Sequence, residues 1–504
     1  MKKYILNIRW LIILVVMTTS CTSFLEENPK TFLSPNSYFK TENQIVAAVN
    51  GPYLFLADIF NSDVEVGSQT FLFIEYLTGY GVRPRGAGTQ DLSQAINLNV
   101  AENNIYVEHL WQTAYTAIEN CNSVIEGIEA VGEGVIDENQ KNQLLGEVYF
   151  LRAYNYFNLV RLYGSVPLKT SSTSDLSNVE IELSPVEDIY TQIDKDLTKA
   201  GDLMVNSPWT NTNGRVTKGA VKSLQAKVYL TMAGYPLQKG AEYYQKAYET
   251  AKEVYSSGAF RLFDTYGELR TTENTGEHIW MIQRDAVNAG SPVHNDMLPF
   301  PAPVKAISAN SAFGGGLAPT QEFYDSYPAG DVRTEEGEYY YTEHDATDGS
   351  GMVLLDRPYI YKFWDDNAAI TGKSGENYPL LRYADVLLMM AEAKAQADGG
   401  TTSDADAINA YFAVRSRALP SEVKPSSINV NDILKERFWE LCFEGQTWYD
   451  MLRTKKALDV RTGNIVNLIG YQAPGHNGNA FEEADLLLPY PIREQRLNPN
   501  LKKN

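Results

Sequence analysis

The 504-residue chain is predicted to be all-α, with tetratricopeptide-like helical hairpins forming a scaffold and a loop-rich region inserted among them. Two observations support this fold class. Apolar residues recur at every third or fourth position through separated blocks of the chain, as they do on the buried face of a helix. Residues 258–377, in contrast, carry frequent Gly and Pro and have no helical period. A long insertion of this kind is usually functional.

The first 20 residues predict an export signal. Lys2, Lys3 and Arg9 precede an apolar run at 10–17, which is too short for a membrane-spanning helix of about 20 residues. Small residues then lead to Cys21, as in a bacterial lipoprotein signal, so we expect cleavage before Cys21 and lipidation of its thiol. Its acyl chains would anchor the protein stably in a membrane. The alternative is an ordinary secretory signal beside an incidental cysteine.

The charge balance disfavours nucleic acid as a partner. The chain has 43 Lys and Arg against 63 Asp and Glu, a formal net charge of -20. Binding to a phosphate backbone depends on basic patches, which such a balance opposes. An anionic membrane surface would not attract the body of the protein either, so attachment would depend on the lipid.

The other two cysteines and the aromatic residues point to packing and recognition. Cys121 and Cys442 lie in apolar helical patterns and are predicted to be small buried residues, although a disulfide between them remains open. The chain contains 32 Tyr, 19 Phe and 7 Trp, more tyrosine than a core alone would use. A tyrosine ring combines an apolar face with a hydroxyl, which suits helix packing as well as sugar or peptide recognition.

Helical hairpins are predicted in order along the chain. The first pairs a helix through Trp111 and Ile128 with a helix over 137–163, which is apolar on several sides and should be packed on several sides. Ser184-Pro185-Val186-Glu187 then predicts a helix start with a capping box. A second hairpin covers 217–235 and 241–257.

A third helical block is predicted from near Tyr378 to Gly399, then over 403–418 and 431–445. Small and large residues alternate in the helices, as in tetratricopeptide repeats. No strict 34-residue repeat is present, so a generic helix bundle is the alternative. The chain thus divides into a signal peptide at 1–20 and one domain at 21–504. Its helical scaffold is expected at about 37–60, 104–257 and 378–453, and its loop-rich ligand region at about 61–103 and 258–377.

Motifs for catalysis are absent or weak, so we predict no enzyme, no metal and no cofactor. The five histidines are scattered, and no zinc-protease, nucleophile-elbow or phosphate-loop motif is present. A lipid-anchored glycosidase is the alternative, because it needs only two carboxylates at a suitable separation. Its candidate pairs are Asp63/Glu65, Asp365/Asp366 and Asp325/Asp331. The competing interpretation of each pair is a solvated acidic surface or a charge at a helix start.

Several short runs resemble the SusD/RagB family of outer-membrane lipoproteins and occur in that family's order from Cys21 almost to the C-terminus. The runs are Phe24-Leu25-Glu26-Glu27-Asn28-Pro29, Ser37-Tyr38-Phe39, Leu151-Arg152-Ala153-Tyr154, Leu162-Tyr163-Gly164-Ser165-Val166-Pro167, Gly214-Arg215-Val216-Thr217-Lys218-Gly219-Ala220, Leu381-Arg382-Tyr383-Ala384-Asp385, Ala391-Glu392-Ala393, Phe443-Glu444-Gly445-Gln446, Trp448-Tyr449-Asp450 and Asn498-Pro499-Asn500-Leu501.

This resemblance implies a lipid-anchored protein at the outer membrane, facing the cell exterior. It would bind oligosaccharide, or peptide in RagB-like members, without hydrolysing it. It also implies a partner, a SusC-like TonB-dependent transporter to which the ligand is passed. Arg152, Arg382, Glu444 and Asp450 lie among apolar helix residues, and we interpret them as paired scaffold charges.

Ligand residues vary within this family, so we choose candidates from chemistry. Aromatic faces contact the apolar patches of sugars, and planar polar side chains fix hydroxyls. The predicted ligand residues are Tyr80, Arg83, Arg85, Trp209, His294, Phe300, Phe313 and Trp364. The alternative role for each is loop packing. Trp280 is left out because its apolar neighbours indicate a core strand.

Overall fold

A computed structural model describes residues 38–58, 67–86, 88–173, 180–300, 304–308 and 314–501. The predicted signal, Cys21, the Asp63/Glu65 pair and Phe313 lie outside these residues. Within them, the protein is mostly helical with short strands, which confirms the predicted all-α class with its tetratricopeptide-like hairpins. None of the helices in these ranges is long and apolar enough to cross a membrane.

The α-helices in chain order are α1 (Glu42–Asp58), α2 (Gly67–Tyr76), α3 (Gln90–Ile96), α4 (Ile105–Glu129), α5 (Glu138–Tyr163), α6 (Val186–Leu203), α7 (Lys218–Ala233), α8 (Ala241–Ser256), α9 (Glu268–Thr271), α10 (Val293–Met297), α11 (Val304–Ile307), α12 (Gln321–Asp325), α13 (Asp366–Thr371), α14 (Tyr383–Ala397), α15 (Ala405–Ala418), α16 (Val430–Glu440), α17 (Thr447–Thr454) and α18 (Ile492–Leu497). The strands are β1 (Gly81–Val82), β2 (His278–Ile282), β3 (Ala318–Pro319), β4 (Tyr340–Asp345), β5 (Met352–Ile360), β6 (Tyr378–Arg382), β7 (Thr401–Thr402), β8 (Ile428–Asn429), β9 (Lys456–Asp459) and β10 (Asn464–Asn467).

Helices α4–α8 and α14–α17 form what we call the helical frame. Helix α5 packs against both α4 and α6, as expected from its apolar residues on several sides. The hairpin of α7 and α8 follows, and α8 in turn packs on α14. The third helical block therefore continues directly from the second, although more than a hundred residues separate them in sequence.

Side-chain caps fix the starts of several frame helices. Asn104, Asp137 and Thr217 each accept a hydrogen bond from a backbone N–H in the first turn of α4, α5 and α7. The capping box predicted at Ser184 is wrong. Helix α6 starts at Val186 without a side-chain cap, because the backbone N–H of Ser184 donates instead to the carbonyl of Val166 in an isolated β-bridge.

Strands β2 and β6 pair in antiparallel fashion where the chain leaves and re-enters the frame. Residues 378–382, predicted to begin a helix, form β6, because pairing with a segment a hundred residues away overrides the local helical pattern. The core assignment of Trp280 on β2 is confirmed, since its side chain is buried between Phe150 and Tyr154. The described residues of 258–377, which we call the loop region, thus contain β2 and are followed directly by its partner strand β6.

The loop region contains one β-hairpin and one strand that pairs outside the region. Strands β4 and β5 form the hairpin, and β3 pairs with β1. A second hydrophobic cluster, separate from the main core, packs around this hairpin. Its buried members are Leu298, Ile307, Ala318, Tyr341, Tyr359, Trp364 and Ala369.

A buried ion network joins the loop region to the frame. Arg333 is fully buried and bonds to Asp331 and, across the junction, to Glu436 and Glu440 of α16. Arg382 at the end of β6 also reaches Glu440. Burial alone would raise the pKa of Glu440, but the surrounding arginines lower it well below its usual range.

The charged motif residues are paired within the frame, as predicted. Arg152 forms a bidentate ion pair with Asp196, and Arg382 forms one with Glu444. Asp450 accepts hydrogen bonds from Arg437 and Arg453. Cys121 and Cys442 are both buried free thiols.

Candidate functional site

Five aromatic side chains converge on one side of the β4–β5 hairpin. We call them the aromatic cluster: Tyr341, His344, Tyr359, Tyr361 and Trp364. Tyr341 and Tyr359 are cross-strand partners on β4 and β5, so the strand register brings their rings together. Tyr361 and Trp364 lie just beyond the end of β5.

The rings of the cluster stack closely. Tyr361 and Trp364 are nearly parallel, with centroids 5.2 Å apart and an interplanar angle of 12°. His344 lies 4.4 Å from Trp364, and the Arg270 guanidinium lies 4.5 Å from the Tyr361 ring centroid. Contacts of this kind add stabilisation beyond the area they bury. They fix the orientation of each ring before a ligand arrives.

Some side chains around the cluster are buried, and others are partly exposed to solvent. Tyr341, Tyr359 and Trp364 are buried, with Trp364 only 4% exposed. His344, Tyr361 and Arg270 are half-buried and keep part of their surface open to solvent. Trp364 also donates from Nε1 to Asp366, which is exposed at the start of α13. Apolar rings and hydrogen-bonding groups thus lie side by side.

His294 packs edge-to-face on Trp364 at 4.9 Å. Its Nδ1 accepts from the backbone N–H of Asp365, and no partner for its Nε2 is found in the described part of the chain. Burial lowers the pKa of His294 to about 4, so the ring is neutral at pH 7. Because Nδ1 accepts, we assign the proton to Nε2.

Phe300 and Arg85 extend the cluster on another side. The Tyr359 hydroxyl donates to the carbonyl of Phe300, and the Arg85 guanidinium lies 4.8 Å from the Phe300 ring centroid. Arg85 also donates from Nε to the carbonyl of Gly314. Arg85 and Phe300 are both half-buried, so they continue the partly open surface.

Arg83 lies on the same loop as Arg85 and faces Asp296. Its Nη1 donates to the carbonyl of Gly86. Burial raises the pKa of Asp296 to about 7, against the opposing effect of Arg83 and Arg85. The structure therefore brings Arg85, His294, Phe300 and Trp364 together around the aromatic cluster, and Arg83 lies on the loop that carries Arg85.

The remaining predicted residues lie elsewhere. Tyr80 is buried under β1, stacks on Phe323 and exchanges hydrogen bonds with the backbone of Leu458, so its ring belongs to the core. Trp209 is half-buried in the connection between α6 and α7, where Lys218 lies over its ring. Phe313 lies outside the described residues and stays a prediction.

Sequence reasoning missed Arg270, His344, Tyr359 and Tyr361. Tyr341 was missed as well, although Tyr339, Tyr341, Tyr359 and Tyr361 show a spacing of two that is typical of strands. That spacing could have indicated a hairpin with tyrosines on one face. Arg270 gave no local signal, because it comes from a separate helix, α9.

The carboxylates proposed for a glycosidase are engaged in structural bonds where the structure describes them. Asp331 is buried against Arg333, and Asp365 caps α13 through the N–H of Ala368. Asp325 accepts from Gln321 on its own helix. Among the described residues, no group of His, Cys, Asp and Glu side chains is arranged to hold a metal ion.

Comparison with known proteins connects this architecture to one family. The family model described as SusD family matches residues 333–504, and another described as "Starch-binding associating with outer membrane" matches 79–230. "SusD-like protein P2" of Formosa agariphila is 27% identical over 100% of this chain and 99% of its own length.

Solved structures agree. A SusD superfamily protein from Parabacteroides distasonis is 33% identical, covers 94% of this chain and 99% of its own, and has a TM-score of 0.84. Surface glycan-binding protein A from Bacteroides thetaiotaomicron, solved in complex with laminarihexaose, shares the fold at 20% identity and a TM-score of 0.74, over 92% of this chain and 99% of its own. On the match to the Parabacteroides protein and the two family models, the chain belongs to the SusD family.

Proposed function

We propose that this protein binds oligosaccharide at the aromatic cluster and the adjoining Arg85 and Phe300, without hydrolysing it. One observation carries the proposal. Half-buried aromatic and guanidinium groups from four separate chain segments, around residues 85, 270, 300 and 344–361, gather beside the buried Trp364 and keep part of their surface open. The charged and aromatic side chains there are held by one another before any ligand binds.

The chemistry of this surface suits a glycan. Sugar rings present apolar C–H faces that pack on aromatic rings, and their hydroxyls accept and donate hydrogen bonds. Tyr361, His344 and Phe300 offer aromatic surface, while Arg270, Arg85 and Asp366 offer planar polar groups at its edge. A relative of the same fold, surface glycan-binding protein A, is solved with laminarihexaose, which supports the assignment of ligand class.

Binding without hydrolysis is favoured by how the carboxylates are used. A glycosidase needs one carboxyl group to act as acid and another to act as base or nucleophile at a ligand. Asp331 and Asp365 are each only a few per cent exposed and satisfy neighbouring groups of the protein. Asp366, beside Trp364, would then serve as a hydrogen-bond acceptor for a hydroxyl.

We place the protein at the outer membrane, lipid-anchored through Cys21 and facing the cell exterior. A SusC-like TonB-dependent transporter would receive the captured ligand. Support comes from the lipoprotein-type signal in the sequence and from the family description "associating with outer membrane". Metabolic labelling with a palmitate analogue tests the anchor: the wild type should be labelled and Cys21→Ala should not. Co-purification of the full-length lipoprotein with a SusC-like transporter produced in the same cells tests the partner.

Isothermal titration of the mature protein against a panel of oligosaccharides and peptides tests the ligand class. We expect saturable binding of at least one oligosaccharide, with the sugar recovered intact after prolonged incubation. Release of new reducing ends, lost when Asp366 is changed to Asn, would instead establish the glycosidase. Binding confined to peptides would establish the RagB-like alternative.

A further inference from the structure

A second pocket lies in the helical frame and shares no lining residue with the loop-region site. Its volume is about 550 Å³, which is within the usual range for small-ligand sites. Helices α5, α6, α7 and α17 and the segment near residue 487 enclose it. Leu183, Val186, Leu452 and Leu487 give it apolar walls, and several tyrosines complete them.

Arg161 of α5 lines this pocket and is held between two aromatic rings. Its guanidinium carbon lies 3.8 Å from the Phe157 ring centroid and 3.6 Å from that of Tyr449. Nε donates to the backbone carbonyl of Phe157, and Nη2 donates to the side-chain oxygen of Asn158. The rings and the two hydrogen bonds fix the plane of the guanidinium.

Arg161 has no carboxylate partner among the described residues, unlike the other cations of the pocket. Arg453 is bonded to Glu392 and Asp450, and Lys455 to Glu483. Burial lowers the pKa of Arg161, although a guanidinium remains charged at any physiological pH. Arg161 is half-buried, with no ion pair of its own among the described residues and only the longer-range charge of Asp450 acting on it, so this position is suited to an anion supplied from outside.

A second unpaired group lines the same pocket. Tyr190 is 1% exposed, and its hydroxyl has no hydrogen-bond partner in the described part of the chain. The charge of Arg161 acts on this hydroxyl, opposing the effect of burial, which raises the pKa of Tyr190. The Tyr190 ring packs on Phe157, which in turn contacts Arg161. A fixed cation and a hydrogen-bonding hydroxyl therefore occur together in an apolar setting.

We propose that this pocket binds a small organic anion, a carboxylate carried on a ring-shaped body. The carboxylate would pair with Arg161 and accept a hydrogen bond from Tyr190. The body would lie against the leucine and tyrosine walls. Such a ligand could be an aromatic acid or a glycoside of a uronic acid, since both have this chemistry. The site is additional to the oligosaccharide surface of the loop region.

Saturation-transfer NMR and calorimetric titration with two matched probe pairs test the proposal. The first pair is phenylacetate and 2-phenylethanol, and the second is 4-nitrophenyl β-D-glucuronide and 4-nitrophenyl β-D-glucoside. We expect the charged member of at least one pair to bind roughly tenfold or more tightly than its neutral partner, as a charge-assisted hydrogen bond allows. The probe pair that shows this preference indicates whether the ligand is an aromatic acid or a glycoside of a uronic acid.

Variants of the full mature chain assign the preference to the pocket. Arg161→Met keeps an apolar side chain between the two rings and should abolish the preference, while Val186→Trp should fill the pocket and remove binding of both members. Lys246→Met, at an exposed ion pair with Glu242 on α8, is the control and should change nothing. All three should bind oligosaccharide like the wild type, which separates this site from the proposed function.

Two results would overturn the proposal. One is equal binding of charged and neutral probes. The other is binding that neither Arg161→Met nor Val186→Trp alters. Failure of every probe to bind at millimolar concentration would also contradict it and would favour an acidic segment of a protein partner as the occupant. If Arg161→Met does not fold, loss of binding in Val186→Trp alone decides whether the probes occupy this pocket.

Discussion

The helical frame and the aromatic cluster of the loop region are held together by different kinds of contact. In the frame, Arg437 and Arg453 are buried and share the carboxylates of Asp385, Glu392 and Asp450. In the loop region, His294 and Tyr341 are equally buried, but His294 Nε2 and the Tyr341 hydroxyl find no partner among the described residues. Ion pairs thus connect the frame helices, whereas ring contacts connect the residues of the proposed ligand surface and leave His294 Nε2 and the Tyr341 hydroxyl without a partner among the described residues.

This difference separates the two tasks of the chain. A network of buried ion pairs fixes one arrangement of helices, because removing a member leaves a buried charge with fewer partners. Aromatic side chains can lie partly exposed, because apolar groups pack on their faces while polar groups lie at their edges. The loop region can therefore present a surface whose geometry depends on the frame beneath it. Four experiments test this division.

The largest effect should come from Arg333, which links the two regions. Arg333→Met leaves Asp331 buried without a cation and removes one of the cations that pair with Glu436 and Glu440, so we expect a loss of about 3–5 kcal/mol in the free energy of unfolding. Urea denaturation measures it. The control, Arg357→Met, removes an exposed pair with Asp356 and should change stability by about 0.5 kcal/mol or less. Similar values for the two variants would contradict the role given to the junction.

A smaller, pH-dependent effect is expected at Glu75 of α2. Burial raises the pKa of Glu75 to about 7, with Glu444 adding to the rise, while the N–H of Gly445 and Lys362 oppose it. The folded state therefore holds a proton that the unfolded state releases near pH 4.5. The resulting stability is present at low pH and is lost as the pH rises to about 7.

Glu75→Gln removes this dependence and preserves the acceptor for Gly445. We expect the variant to equal the wild type near pH 4.5 and to exceed it by about 1–3 kcal/mol at pH 8. Thermal unfolding across this range provides the measurement. A wild type that gains stability relative to the variant as the pH rises would show that the sign is wrong.

A helix cap of the frame should matter more than a similar bond in a loop turn. Asp137 accepts from the N–H groups of Asn139 and Gln140 at the start of α5, so Asp137→Ala should cost about 1 kcal/mol. Asp348 accepts from the N–H of Ser350 in the turn between β4 and β5, and Asp348→Ala should fall within about 0.5 kcal/mol of the wild type. Equal losses would remove this distinction between the regions.

The sequence was informative about the frame because its signals are local. The hairpins of α4 with α5 and of α7 with α8 follow from apolar spacing and from turns at Gly and Pro. Strand β6 was missed because its partner, β2, lies about a hundred residues away. Tyr80 was chosen for its loop setting, yet its hydroxyl bonds to Leu458, a contact 378 residues apart that no local pattern reports.

The sequence predicted the types of residue in the site better than it predicted their positions. Arg85, His294, Phe300 and Trp364 were selected as aromatic or planar polar side chains in loops, and the fold brings them together. Tyr361 and Arg270 were missed, since their pairing depends on how α9 approaches the end of β5. The composition of the loops therefore indicates that a binding surface exists. Which aromatic rings form that surface is determined by tertiary packing.

Calorimetric titration of the Tyr361→Ala variant with an oligosaccharide that binds the wild type tests the central claim most directly. Tyr361 is half-buried in the aromatic cluster, while Tyr243, half-buried on α8 beside Tyr229, provides the matched control Tyr243→Ala. We expect the loop variant to lose about 0.5–1.5 kcal/mol of binding free energy, or roughly two- to tenfold in affinity, with its stability near that of the control. Unchanged affinity in Tyr361→Ala, or an equal loss in Tyr243→Ala, would contradict the assignment of the ligand surface to the loop region.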